Sequence, residues 1–233
     1  MELGTSKTAS PQLRDQPCYP QPTPESGMCL IGDRGREKLE QYISSIFQAS
    51  YGARIFEYLP MLFNLNREGS FSAALGLRSA AREALFCESY LDAPLETHVQ
   101  TLFGANTERH ELMELGNLVS SRSGDAALLY VLITAAIHMA GVRYLLFAAN
   151  TAVRQSIKQV GFTPKAVCAA DPGCLPDSGE SWGSYYRGNP QVMIGDMALT
   201  NLQSRANPHI NALLEMYAGS ISELSVQIRS QLA

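Results

Sequence analysis

The chain has 233 residues, 45% hydrophobic and 17% charged, a mix that excludes a disordered chain and supports one sizeable domain with extensions. Its 18 Lys+Arg against 22 Asp+Glu leave a net charge of -4, which argues against a nucleic-acid binder because phosphate contacts need a basic surplus. Five cysteines (Cys18, Cys29, Cys87, Cys168 and Cys174) are an odd number without metal-ligand spacing, so a reduced cytoplasmic protein is expected, without disulfides and without a metal site.

Residues 1–34 are proline-rich and polar, without the apolar run of a secretory signal, and read as a mobile arm. From Arg36 the pattern changes: Leu39, Ile43, Ile46 and Phe47 recur at helical spacing while Glu37, Lys38 and Glu40 face outward. Apolar segments at 58–65, 71–77 and 84–87, parted by turn residues such as Asn66-Arg67-Glu68-Gly69, predict a three-strand meander. A helix is predicted over 94–103, with Leu95, Val99 and Leu102 on one side, and a strand over 112–119. Residues 126–142 run for 17 positions without a formal charge, the lower edge of a membrane span. Gly141 and Arg143 favour a buried helix to about Ala140, a turn, and a core strand over 142–149. A helix over 151–160 and a strand over 164–170 follow, then a polar segment over 171–190 and a closing strand over 191–194. After Pro208, Ile210, Leu213, Leu214, Tyr217, Ile221, Leu224 and Ile228 lie on one face of a long amphipathic helix. That helix packs on the domain or, over 208–231, is the candidate interface of a homodimer.

The turn Ser120-Ser121-Arg122-Ser123-Gly124-Asp125-Ala126 joins a strand end to a helix start. Unpaired N–H groups and the helix dipole make such a turn a phosphate site; the plainer reading is a capped helix with Ser123 or Asp125 as cap. Further on, Asn150 ends a strand, a short helix follows, and Gly161-Phe162 stops it. Together with Gly124-x-Ala126, this segment resembles the GNAT superfamily of N-acetyltransferases. The resemblance implies an α+β fold, with a mixed central sheet and flanking helices. It also implies donor contacts from Leu118, Val119, Arg122, Ser123, Gly124, Asp125, Ala126 and Asn150.

A second resemblance spans roughly residues 50–200. Ala74-Leu-Gly-Leu-Arg78, Leu85-Phe-Cys-Glu88-Ser-Tyr90-Leu-Asp92-Ala-Pro94-Leu-Glu96, Glu114-Leu-Gly116-Asn117-Leu118 and Trp182-Gly-Ser-Tyr185-Tyr186 look like the thermostable hemolysin family. By fold that family is similar to the acyl-homoserine-lactone autoinducer synthases. Their acidic Glu-x-Asp-x-Tyr-Asp-like segment is echoed by Glu88-Ser-Tyr90-Leu-Asp92. Their fourth-strand Glu-x-x-Arg here reads Glu114-Leu-Gly-Asn117, with asparagine in the arginine's place.

The resemblance implies an acyltransferase domain over 35–200, with a C-terminal extension over 201–233. Its donor would be acyl-CoA or a phosphopantetheine-linked acyl group on a carrier protein, and its acceptor a small, amino-acid-like amine. No cofactor would be permanently bound. Glu114 would be the general base with Asn117 beside it, and Glu88, Tyr90, Asp92, Trp182, Tyr185 and Tyr186 would hold the acceptor. Strand alternation puts Glu114 and Gly116 on one face and Leu115 and Asn117 on the other, unless a bulge intervenes. Other readings stay open. Glu88 and Asp92 are equally edge-strand or capping carboxylates, and the aromatic trio is equally a small satellite core. The family's name suggests a membrane-active protein, supported only by 126–142 and the amphipathic tail, although membrane contact is not expected. A catalytically idle module that binds an acyl group or carrier protein is the third reading.

Overall fold

The computed structural model describes residues 23–232 and builds them into one seven-stranded mixed sheet with seven α-helices. Strands β1 (Glu25–Cys29), β2 (Met61–Arg67), β3 (Ser70–Ser79) and β4 (Leu112–Ser120) pair antiparallel in that order. Strand β5 (Tyr144–Ala149) lies parallel to β4, and β7 (Gln191–Asp196) sits between β5 and β6 (Lys165–Ala169). The expectation for 1–22 lies outside the described residues. The end of the predicted arm is not irregular, because residues 25–29 add an edge strand to β2.

Alternation along the strands sorts the core into two layers. Leu62 and Ala74 join Leu39, Ile43 and Phe47 of helix α1 (Arg36–Tyr51) on one face. Phe63, Ala73 and Leu75 meet α3 (Asp125–Ala140) on the other. On β5 the same rule sends Tyr144 and Leu146 toward α2 (Leu95–Phe103), and Leu145 and Phe147 toward α3. Helix α3 is apolar on nearly every side because it lies between the sheet and the C-terminal helices, which is where a helix without a polar face belongs. The uncharged run at 126–142 is therefore core. Among the described residues no helix is long and apolar enough to cross a membrane.

Two expectations are corrected. Residues 84–87 are not a strand; Phe86–Tyr90 form a 3-10 turn. The N–H groups of Phe86 and Cys87 donate to the Glu114 carboxylate instead of to a neighbouring strand. The tail is three helices, α5 (Met197–Ala206), α6 (Pro208–Met216) and α7 (Ala218–Ser230). Pro208 breaks the first join, with the Asn207 side chain capping His209 and Ile210 N–H. The apolar stripe from Ile210 to Ile228 is buried in the main core. The face that suggested a homodimer, and part of the case for a lytic helix, is thus spent inside the chain.

One departure from regularity makes the site. β4 and β5 pair only where Leu112–Glu114 face Tyr144–Leu146. Beyond that point β4 keeps only β3 as partner and β5 only β7, so the strands part. Gly76 faces Gly116 while Ala74 faces Val119, so Asn117 and Leu118 together oppose one residue of β3. Asn117 takes φ 51 there, a bulge in which Asn is among the few tolerated side chains.

Candidate active site

A cavity of about 320 Å³ opens where the strands part. Leu115 to Leu118 of β4 and Phe147 and Ala148 of β5 form its back. Phe86, Cys87 and Tyr90 of the 3-10 turn close one side, and Trp182, Tyr185 and Tyr186 another. A smaller cleft of about 50 Å³ adjoins it, between Ala126 and Ala127 of α3 and Val153, Ser156 and Ile157 of α4 (Thr151–Gln159). The two share Leu118, Tyr130, Val153 and Ile157, so the space continues through the parted sheet.

Glu114 is 2% exposed yet lies on the cavity wall. Its carboxylate accepts the Phe86 N–H at 2.9 Å and the Cys87 N–H at 2.7 Å, and the Cys87 thiol lies against it. Burial raises its pKa above the ordinary carboxylate value, and these donors together with Arg78 offset only part of that rise. A carboxylate has about four acceptor sites, so two N–H bonds fix its direction and leave it able to take a proton. The bulge brings Asn117 to the same cavity, where strict alternation would have separated it from Glu114. Its side chain is engaged: Oδ1 accepts the Leu59 N–H at 2.9 Å, which makes Asn117 a clamp on the segment before β2.

In that segment residues 53–57 show no apolar period in the sequence, and residues 58–60, expected to open a strand, precede β2, which begins at Met61. Ala53 and Ile55 are buried while Arg54 and Phe56 point outward, and residues 54–57 line the cavity with Leu59. Both ends are pinned. The Tyr51 carbonyl accepts the Ser184 N–H at 2.8 Å and Arg54 N–H donates to the Ser181 carbonyl at 2.7 Å. At the other end the Arg36 guanidinium holds the Leu59 and Pro60 carbonyls. The contact with the 181–186 loop requires Gly183, at φ 55; a Cβ there would stand 2.2 Å from the Tyr51 carbonyl oxygen.

The aromatic trio is both wall and packing. Trp182 meets Phe47 edge-on and packs tilted against Phe86 and Tyr185, and Tyr51 meets Tyr185 edge-on. The hydroxyls of Tyr90 and Tyr186 share a 2.7 Å hydrogen bond. Burial pushes Tyr186 up to about 12, and Tyr90 and Tyr185 also rise through burial, so all three remain neutral donors near neutrality.

Glu88 and Asp92 are not brought to the cavity. Burial opposes ionisation of Glu88, but Arg109, gripping both carboxylate oxygens, and the Leu85 N–H outweigh it and hold its pKa below the ordinary value. Asp92 is exposed, 3.2 Å from His98 Nε2. In the glycine turn neither Ser123 nor Asp125 caps α3; Gly124 does, with no side-chain bond. Asp125 is buried, and the Arg67 guanidinium beside it holds its carboxyl below the usual range. Arg122, Ser123 and Gly124 are exposed at the α3 start, off the larger cavity, while Ala126 lines the small cleft. Val119 is buried under α1, off both cavities, and Leu118 lines both. Asn150 caps α4 through the Val153 N–H, donates to the Tyr51 hydroxyl and lines the larger cavity. Among the described residues no group of His, Cys, Asp or Glu has the arrangement to hold a metal ion.

The architecture is similar to that of several solved structures. FeeM, an N-acyl amino acid synthase from uncultured soil microbes, superimposes with a TM-score of 0.53 at 13% identity, over 78% of this chain and 96% of that one. TofI, solved in a ternary complex with an inhibitor and MTA, gives 0.52 at 11% identity over 74% and 91%. BjaI, a CoA-dependent acyl-homoserine lactone synthase solved with SAM and isopentyl-CoA, gives 0.51 at 10% identity over 84% and 90%. At such identities the likeness establishes the GNAT-like fold. No curated protein sequence matches the chain. The thermostable hemolysin model matches residues 31–200, and the chain belongs to the thermostable hemolysin family.

Proposed function

We propose that the protein is an N-acyltransferase that moves an acyl group from a thioester, of CoA or of a carrier protein, to a small primary amine. The observation that carries this reading is a buried carboxylate, Glu114, set by two backbone N–H groups on the wall of a cavity between two parting strands. The fold shared with an N-acyl amino acid synthase and a CoA-dependent acyl-homoserine lactone synthase supports it.

In this mechanism the thioester reaches the parted strands from the α3–α4 cleft, where Ala126 and Ala127 begin a helix with unpaired N–H groups suited to a phosphate. The acyl chain lies in the apolar cavity. A free α-amino group loses its proton near pH 8, so the neutral amine attacks the carbonyl carbon and the carbonyl electrons move to oxygen. Backbone N–H groups on the β4 edge beyond Glu114 would stabilise that oxyanion. Glu114 takes the ammonium proton as the carbon–nitrogen bond forms, and collapse breaks the carbon–sulfur bond and releases the thiol. Asn117 acts by holding residues 57–59 in place.

The test is incubation of purified protein with a pool of medium-chain acyl thioesters and amino-acid-like amines. Thiol release and an acylated amine of the matching mass are expected. No turnover and no thioester binding across the pool would sink the proposal.

A further inference from the structure

Besides Glu114, the cavity is lined by Glu57, Asp177 and Arg54. Glu57 is paired with Arg78 and Asp177 accepts the Gly179 and Ser181 N–H groups, which leaves Arg54. It is solvent-exposed, and its guanidinium has neither an ion pair nor a hydrogen bond among the described residues. The other arginines nearby are engaged. Arg36 holds carbonyls and Glu40, Arg78 holds Glu57 and Glu83, and Arg154 holds the Ala149 and Asn189 carbonyls. Arg54 is also presented on fixed backbone. Its neighbours Ala53 and Ile55 are buried, its own N–H is bound by Ser181, and residue 59 is clamped by Asn117. A cation on a fixed segment at the rim of an apolar cavity, without an anion of its own, is arranged for an anion that arrives with a ligand.

Two parts of the ligand set are anionic, the donor's phosphates and an acidic acceptor. Residues 54–57 and Leu59 line the larger cavity and none of them lines the α3–α4 cleft assigned to the donor's phosphates. We infer that Arg54 binds the carboxylate of the acceptor, which is therefore an α-amino acid or a closely similar amino acid. This deepens the proposed function and rests on it. The ligand's ammonium end is matched by Glu114 within and its carboxylate by Arg54 at the rim. A buried carboxylate within and an unpaired guanidinium at the rim of one cavity fit a zwitterion better than a simple amine. Phe56, 77% exposed beside Arg54, offers an apolar contact to the acceptor's side chain.

The experiment compares each amino acid with its own amide, at fixed acyl-CoA, in the intact protein and in Arg54→Ala, Arg54→Lys and Arg54→Glu. The readout is the acid-to-amide ratio of kcat/KM, together with the KM of the donor. A charge-assisted bond to carboxylate predicts a ratio of roughly ten to a hundred in the native protein. It should fall toward one in Arg54→Ala, persist in part in Arg54→Lys and invert in Arg54→Glu, with the donor KM unmoved. A ratio unchanged by Arg54→Ala, or a rise confined to the donor KM, overturns the assignment. Titration calorimetry with the same acid and amide pairs separates this inference from the reading it rests on. If no amine is acylated but the acid binds and loses its advantage over the amide in Arg54→Ala, the transferase reading fails and the carboxylate site stands. If neither binds, the site fails with it.

Discussion

Replacing Glu114 by glutamine separates chemistry from architecture. The native carboxylate accepts two N–H groups, from Phe86 and Cys87, at 2.9 and 2.7 Å. Glutamine offers one carbonyl oxygen and an NH₂ that must face one of those donors, so one buried N–H goes unpaired at a cost of about 1–3 kcal/mol. Burial already disfavours the charged form, as its raised pKa shows, and the neutral amide recovers part of that loss. The net destabilisation should therefore stay at or below about 2 kcal/mol, a few degrees by thermal melting. Turnover should fall about 10² to 10⁴-fold, the usual contribution of a general base. A second signature lies in pH. Because burial holds the Glu114 pKa above 4.5, native kcat/KM should rise with pH through an inflection above that value, and Glu114→Gln should lack it. Glu114→Ala strands both N–H groups and should cost about 2–6 kcal/mol as well. A folded Glu114→Gln protein that keeps a third of native turnover with the same pH profile would refute the general-base role.

Three further outcomes follow from the geometry. Gly183→Ala drives a Cβ to 2.2 Å from the Tyr51 oxygen; with the strain of that backbone and two lost N–H bonds it should cost roughly 3–5 kcal/mol, and an unshifted melting curve would contradict the contact. Asn117→Ala should lower stability by about 1–3 kcal/mol through the stranded Leu59 N–H; Asn117→Gly should be milder because φ 51 no longer meets a Cβ, so equal losses in denaturant melts would argue against the bulge. The Arg67 partner of Asp125 and the Arg109 partner of Glu88 depress those folded pKa values. Their stabilisation is complete above the unfolded values of 3.8 and 4.5 and disappears as pH falls through the depressed folded values. Melting temperature should drop with acid in that window, and less steeply in Asp125→Asn.

Periodicity carried much of the fold. The stripe of α1, the uncharged run of α3 and the runs of β2 to β5 come from burial on one face or on all, which a sequence displays directly. Helix α5 was missed because Thr200 and Ser204 occupy its buried positions beside Met197, so no apolar stripe marks it. The segment at 84–87 looks like a strand because Leu85 and Cys87 alternate with half-buried neighbours; only the Glu114 carboxylate, reaching from 27 and 28 residues away, bends it into a turn. Glu114, Tyr90, Trp182, Tyr185, Tyr186, Leu118 and Asn150 were legible as cavity residues through resemblance. Glu88 and Asp92 were not separable from them, because an acidic motif does not reveal that Arg109 has taken one of its carboxylates. Arg54 left no mark at all. Its meaning is a partner it does not have, and that shows only in three dimensions.

The fork between β4 and β5 has a thermodynamic corollary. Along their facing edges each strand forgoes the ladder that an ordinary sheet would complete, so the fold is less stable than its length would permit if that edge were closed. A guest whose own amides and hydrocarbon fill that gap acts as the missing rung, and heat resistance should climb with guest concentration in the logarithmic manner of any ligand that favours the native form.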